Sequence, residues 1–245
     1  MSKIDADIHV ALRIPGRWSH PGELLERMPE GFRLTPNGLI MPDGVVIEFS
    51  PMPADNQFAN IFRSSCRRPA TFEETEIVDN YSVNACLFGP GGSLDAAQTM
   101  MQAGAALIHA GGAGVFIDNS GLAHGGSDWI EMTEDGSPDA LSFAFVSIVR
   151  AKIEVYTMGL HVLGLPDIVI RRSDLDGDGQ EIIEMIRYLY NSETPVENGH
   201  LLGDEFGPRF KAEATSDDAF SSESPMHNPF GRLRLVSFKD IAERN

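Results

Sequence analysis

Cysteine is scarce in this sequence. The only two, Cys66 and Cys86, stand twenty positions apart, with no CxxC pair and no histidine at zinc-ligand spacing. That scarcity excludes a disulfide framework and a thiolate zinc module, and it predicts two free thiols in a reducing compartment. Basic residues are also few, 19 Lys and Arg against 36 Asp and Glu, for a formal charge of −17. Residues 1–122 carry 8 basic and 14 acidic groups and residues 123–245 carry 11 and 22, so the second half is the more acidic. Such a surface repels phosphate backbones and anionic headgroups, which excludes nucleic acid and membrane as expected partners. A basic protein partner would be steered in, although acidity also serves plain solubility. Long apolar runs are missing too, since none approaches the roughly 18 residues of a membrane span. The start, Met-Ser-Lys-Ile-Asp-Ala-Asp, lacks the basic-then-apolar order of a signal peptide, so the cytoplasm is the expected location.

What is present is an ordinary globular mixture, 42% hydrophobic and 22% charged over 245 residues, enough for a sizeable core without staples. Residues 8–14 read as a strand ended by Pro15-Gly16, and His20-Pro21 opens a helix whose Leu24, Leu25 and Met28 share a face. Strands are predicted over 32–41 and 45–50, hinged at Pro42-Asp43-Gly44. Thr71-Phe72-Glu73-Glu74 is a capping box for a helix reaching Asp79, and Ser82–Phe88 is the next strand. This order, strand, helix, strand, strand, helix, strand, predicts a ferredoxin-like half over 1–90. A helix over 93–110, capped by Ser93, leads to a strand at 114–118. Residues 141–149 have no decisive period and are read as part of a strand pair with 152–156. A strand at 168–170, an amphipathic helix over 180–190 and hairpin-like strands at 200–205, 209–214 and 231–237 complete the expectation. The Ser-, Asp- and Pro-rich stretch 215–229 reads as a mobile loop. The expected fold class is therefore α+β, mainly antiparallel sheet layered with helices, in one compact unit with a possible division near residue 90.

Four patterns could carry chemistry. Asp174, Asp176 and Asp178 with Gly179 open like a calcium loop, but Glu181 and Met185 stand where an apolar residue and a bidentate Glu belong, so a polar turn is expected and calcium is not. Gly89-Pro90-Gly91-Gly92-Ser93 lies between strand and helix as phosphate loops do, yet it lacks their Lys-Ser/Thr pair, and a tight turn with a Ser cap accounts for it. Arg63, Arg67 and Arg68 flank Cys66, where a guanidinium pair could hold an anion or lower the thiol's pKa; without a histidine partner a solvated or ion-paired face is expected. The richest group follows the 114–118 strand. There Asp118, His124 and Asp128 are candidate catalytic residues, with Asn119, Ser120 and Trp129 as candidate ligand contacts, because α/β proteins gather polar groups at strand ends. No cofactor is required by any of these patterns. His161, inside an apolar run, is expected to be a bonded core histidine.

The segments Gly114-Val-Phe-Ile-Asp-Asn-Ser-Gly-Leu-Ala-His124 with Trp129, and Tyr156-Thr-Met-Gly-Leu-His-Val-Leu-Gly-Leu-Pro-Asp167, resemble an uncharacterised bacterial family, domain-of-unknown-function family 4261. The likeness runs over about 82–215. It implies a bacterial cytoplasmic protein and supplies no catalytic residue. Three readings of function follow: a non-enzymatic binding or protein-interaction domain, a small-molecule hydrolase or metal-assisted enzyme at 118–129, and an acidic immunity or antitoxin-like protein facing a basic partner.

Overall fold

The structure is a computed structural model that describes residues 8–175, 180–192, 194–204, 207–217 and 219–238. It is an α+β architecture with two sheets. The first contains β1 (His9–Gly16), β2 (Arg33–Thr35), β3 (Gly38–Ile40), β4 (Val46–Pro53), β5 (Val83–Pro90), β6 (Gly114–Ile117) and β7 (Leu122–Gly125) in the order β2-β3-β4-β5-β1-β6-β7. All its pairings are antiparallel. The second contains β8 (Ser147–Arg150), β9 (Glu154–Met158), β10 (Asp167–Arg171), β11 (Leu201–Asp204), β12 (Gly207–Thr215) and β13 (Arg232–Ser237), ordered β11-β12-β13-β10-β9-β8. Here β13 lies parallel to β10 and antiparallel to β12.

The ferredoxin-like arrangement is not the one adopted. In that sheet the first strand pairs with the third, whereas here β5 lies between β1 and β4, and the strand read over 32–41 is itself a hairpin of β2 and β3 turned at Pro36-Asn37. Residues 58–65, passed over in the sequence, form a helix, α2 (Phe58–Ser65), after α1 (Pro21–Glu26). The capping box is present at α3 (Phe72–Asp79): Thr71 Oγ1 accepts from Glu74 N at 3.2 Å and Glu74 Oε2 accepts from Thr71 N at 2.8 Å. Glu74 does more than cap its own helix. Its Oε1 accepts from Ser127 N and Oγ at 2.7 and 2.8 Å, capping α5 (Gly126–Asp135) as well. Burial pushes this carboxyl up, but the bonds from Ser127 and Thr71 outweigh it and the pKa is lowered.

Alternation in β1 and β6 sorts the core into two layers. Val10, Leu12, Ile14, Val115 and Ile117 join the main cluster with α4 (Leu94–His109), while Phe116 turns to a smaller cluster of Phe58, Phe62, Val78 and Tyr81 from the α2 and α3 side. The main cluster continues through Leu141, Ala144 and Phe145 of α6 (Pro138–Phe145) to Ile168 and Leu235 of the second sheet and Ile182 and Ile186 of α7 (Gln180–Asn191). The strand pair expected over 141–156 is thus half right. β8 does pair with β9, but 138–145 is helical because Ser137 Oγ accepts from Ala140 N at 3.2 Å, with Pro138 in the first turn.

Small residues in α4 have a structural task. Trp129 of α5 is fully buried, its Nε1 donating to Met101 O at 3.0 Å, and its ring lies so close to Gly104 that an added Cβ would stand 2.9 Å from Nε1. Gly104→Ala is expected to lower unfolding free energy by about 1 kcal/mol, because overpacking of roughly 1–3 kcal/mol exceeds the roughly 1 kcal/mol gained in helix propensity. A urea titration in which the variant equals or exceeds the parent would refute this reading of the contact.

Candidate functional site

The polar group after β6 does not come together; it is divided between different surroundings. Asp118 extends beyond the end of β6, where Arg13 of β1 donates through Nε to its carboxylate at 2.9–3.0 Å. Asn119 is buried and works as a structural hub. Its Oδ1 accepts from Ala11 N at 2.9 Å, and its Nδ2 donates to His9 O at 2.9 Å and Pro225 O at 3.1 Å. With both amide hydrogens spent, the 3.1 Å approach to His161 Nε2 is a contact, and Nε2 instead donates to Pro225 O at 3.0 Å. His161 Nδ1 is then the unprotonated nitrogen, buried and without a partner among the described residues. Burial pushes its pKa down to about 4, so the ring is neutral at pH 7.

Ser120 is buried with its hydroxyl unbonded, beneath Gly159. That glycine has φ 99°, and a Cβ there would meet Phe145 O at 2.4 Å, so no other residue fits this corner. His124, on β7, faces the opposite side. It is fully buried among Trp129, Phe143 and Ala144, Nε2 donates to Ala144 O at 3.0 Å, and burial, aided by Arg67 and Arg68, lowers its pKa to about 4. Asp128 is partly exposed, 3.7 Å from Arg68. Trp129 is core, as described. Asp174 lies in a short turn, Oδ1 accepting from Ser173 Oγ at 3.3 Å, while Asp176 and Asp178 lie outside the described residues. Among the described residues no group of three His, Cys, Asp or Glu is placed to hold a metal ion.

The glycine pattern is accounted for by the fold itself. Gly91 N and Gly92 N donate inward to Ile8 O and Val162 O, and Ser93 Oγ caps α4, so the glycine loop turns its N–H groups into the protein. Both cysteines are free, and burial pushes each thiol up to about 11, the reverse of activation by the neighbouring arginines.

The stretch read as a mobile loop over 215–229 is fastened at several of its described residues. Asp217, buried, accepts from Asn228 N at 3.0 Å and pairs with Arg232 at 2.8 Å. Asn228, also buried, donates to Leu165 O at 3.0 Å and to Asp167 Oδ2 at 2.8 Å. With Pro225 on Asn119 and His161, these bonds fasten the segment as a strap across the end of β1. Polar composition alone reads as solvent-seeking; here the polar side chains are consumed in buried bonds.

Between strap and sheet lies a cleft of about 510 Å³ lined by His9, Asp118, His161, Glu223 and His227 among others. Of the residues marked in the sequence as site candidates, Asp118 lines it and Asn119 braces it. His9 was missed, though the period of β1 marks it, since His9, Ala11 and Arg13 alternate with the core residues Val10, Leu12 and Ile14. Glu223 and His227 carry no local signal, because the strap brings them there. Burial raises the Asp118 carboxyl above its ordinary range despite Arg13, so its charge is incompletely compensated.

No family model, curated protein or solved structure matches the chain. Segments 114–124 and 156–167 touch one another in the structure. Asn119 and Ser120 from the first meet His161 and Gly159 from the second, at the joint between the two sheets. Asp167, at the end of the second segment, accepts from Thr157 Oγ1 and Leu160 N at 3.0 and 3.3 Å. Among the described residues no helix is long and apolar enough to cross a membrane.

Proposed function

We propose that the protein is a non-enzymatic interaction domain whose strap cleft accepts a basic side chain of a partner protein. The observation that carries this reading is Asp118, a carboxylate raised by burial even with Arg13 beside it, in a cleft that it shares with Glu223 and His161. A second cation is the group such a site lacks, and the net charge of −17 would steer one in. An immunity or antitoxin-like role facing a basic partner is one form of this reading. Membership of the uncharacterised bacterial family and a cytoplasmic location are part of the same proposal. A hydrolase built on Asp118, His124 and Asp128 would need all three around one reacting atom, and their separate surroundings favour binding instead.

The test is a nuclear magnetic resonance titration with a short Arg- and Lys-containing peptide at low salt. Shifts are expected to concentrate at His9, Asp118 and Glu223, to fade as salt is raised, and to require about ten-fold more peptide in Asp118→Asn. Shifts spread evenly over the acidic surface, or unchanged in the variant, would eliminate the strap cleft as the site.

A further inference from the structure

A second cleft, of about 640 Å³, is lined by Arg67, Arg68 and Phe143, none of which lines the strap cleft. Both guanidinium groups lie over the one Phe143 ring, their carbons 4.6 and 5.0 Å from its centroid. Arg67 Nη1 donates to Phe143 O at 2.8 Å and Nη2 donates to Val146 O, so its hydrogen bonds go to neutral carbonyls and, among the described residues, none goes to a carboxylate. Arg68 has Asp128 and Glu131 only at 3.7 and 3.9 Å, beyond hydrogen-bond range. Two like charges are therefore held side by side, with Asp128 and Glu131 in ion-pair range of Arg68 but not hydrogen-bonded to it. Burial and the adjacent Arg68 charge push the Arg67 pKa down to about 10.

The remaining walls are mostly apolar, supplied by Met132, Ala140, Ile148, Ile183 and Ile186. Asp139, also at the cleft, is taken by Arg187 at 2.9 Å and by the Tyr190 hydroxyl, and these bonds lower its pKa. Glu131 and Asp135 are the other lining carboxylates, and they oppose an incoming anion. We propose that this cleft binds a small organic oxyanion with an apolar body, the charged head against Arg67 and Arg68 and the body along Met132 and the isoleucines. Paired guanidinium groups suit the two oxygens of a carboxylate or phosphate, and the volume is that of a small-ligand site.

Isothermal titration with octanoate, octyl phosphate and octan-1-ol tests it. At least one of the two anions is expected to bind at about 1 mM or tighter, with octanol about ten-fold weaker or worse. The tighter of the two anions assigns the head group. Arg67 holds backbone carbonyls and its loss could unfold the chain, so the informative variants are at exposed positions. Arg68→Gln should weaken the anion about ten-fold with an unchanged melting temperature, and Glu131→Gln should tighten it severalfold. Equal binding of octanol, no binding of either anion, or affinities indifferent to both substitutions would overturn the proposal. Asp118→Asn should leave these affinities untouched, which separates this site from the strap cleft.

Discussion

Lowering the pH from 7 to 4 is expected to remove about 3 kcal/mol of unfolding free energy, well before general acid denaturation. His124 and His161 are buried, and each has its pKa pushed down to about 4 from an ordinary 6.5. The unfolded chain takes up their protons first, so the stability they support is fully present above pH 6.5 and lost as the pH falls through about 4. Each contributes about 3 kcal/mol to that loss. Asp167 works in the opposite direction. Burial raises it to about 6 from 3.8 against the bonds from Asn228, Thr157 and Leu160, so it favours the folded state at low pH, and that contribution of about 3 kcal/mol is lost as the pH rises through about 6. Two histidines against one aspartate leave the net loss of one histidine's worth. Urea midpoints at pH 7, 5.5 and 4 measure it; a stability that is flat or rising as pH falls across this window would show that the rings are not held neutral.

Replacing Asp167 by alanine should cost about 3–5 kcal/mol at pH 7, despite the removal of a buried charge. Three donors converge on this carboxylate: Thr157 Oγ1 at 3.0 Å, Leu160 N at 3.3 Å and Asn228 Nδ2 at 2.8 Å. Thr157 Oγ1 accepts in turn from Ile168 N at 2.8 Å, so the network ties β9 to β10 and both to the strap. Alanine leaves the donors buried without an acceptor, at roughly 1–3 kcal/mol each before relaxation. Asp167→Asn should cost less, since one oxygen still accepts, although its amide group then faces the Asn228 amide. It should also remove the stabilisation that Asp167 contributes on acidification. Denaturant unfolding of both variants provides the check, and a loss under about 1 kcal/mol in Asp167→Ala would mean that water replaces the carboxylate and the strap is not fastened there.

The elements that were legible in the sequence are those whose signal is local. Thr71 and Glu74 announce α3, Ser93 announces α4, Pro42-Asp43-Gly44 turns β3 into β4, and Arg232 and Arg234 alternate with buried Leu233 and Leu235. The helix over 138–145 was also locally encoded, by Ser137-Pro138-Asp139, but its apolar face runs straight into β8 and hides the boundary. Strand order was not legible. Nothing within β5 states that it pairs with both β1 and β4, because strand pairing is a contact between segments distant along the chain. The candidate site was half legible for a similar reason. A cluster such as Asp118 to Trp129 looks continuous along the chain, yet a turn at 118–121 followed by β7 points its members to opposite sides of the sheet. Arg67 and Phe143 lie 76 positions apart, and they meet because the segment after α2 is bridged to Ala123 of β7, against which α6 also packs.

The place of β13 has a consequence for biosynthesis. It is the last strand of the second sheet to be made, yet it occupies the interior, between β10 and β12. Until residue 237 has left the ribosome, β10 and β12 each present an open edge with no neighbour to close it, and the sheet cannot assemble in the order of translation. The first sheet, complete at Gly125, is free to form while the rest is still being synthesised. The nascent chain is therefore expected to pass through a stage with one finished layer and one open layer, whose bare strand edges favour aggregation.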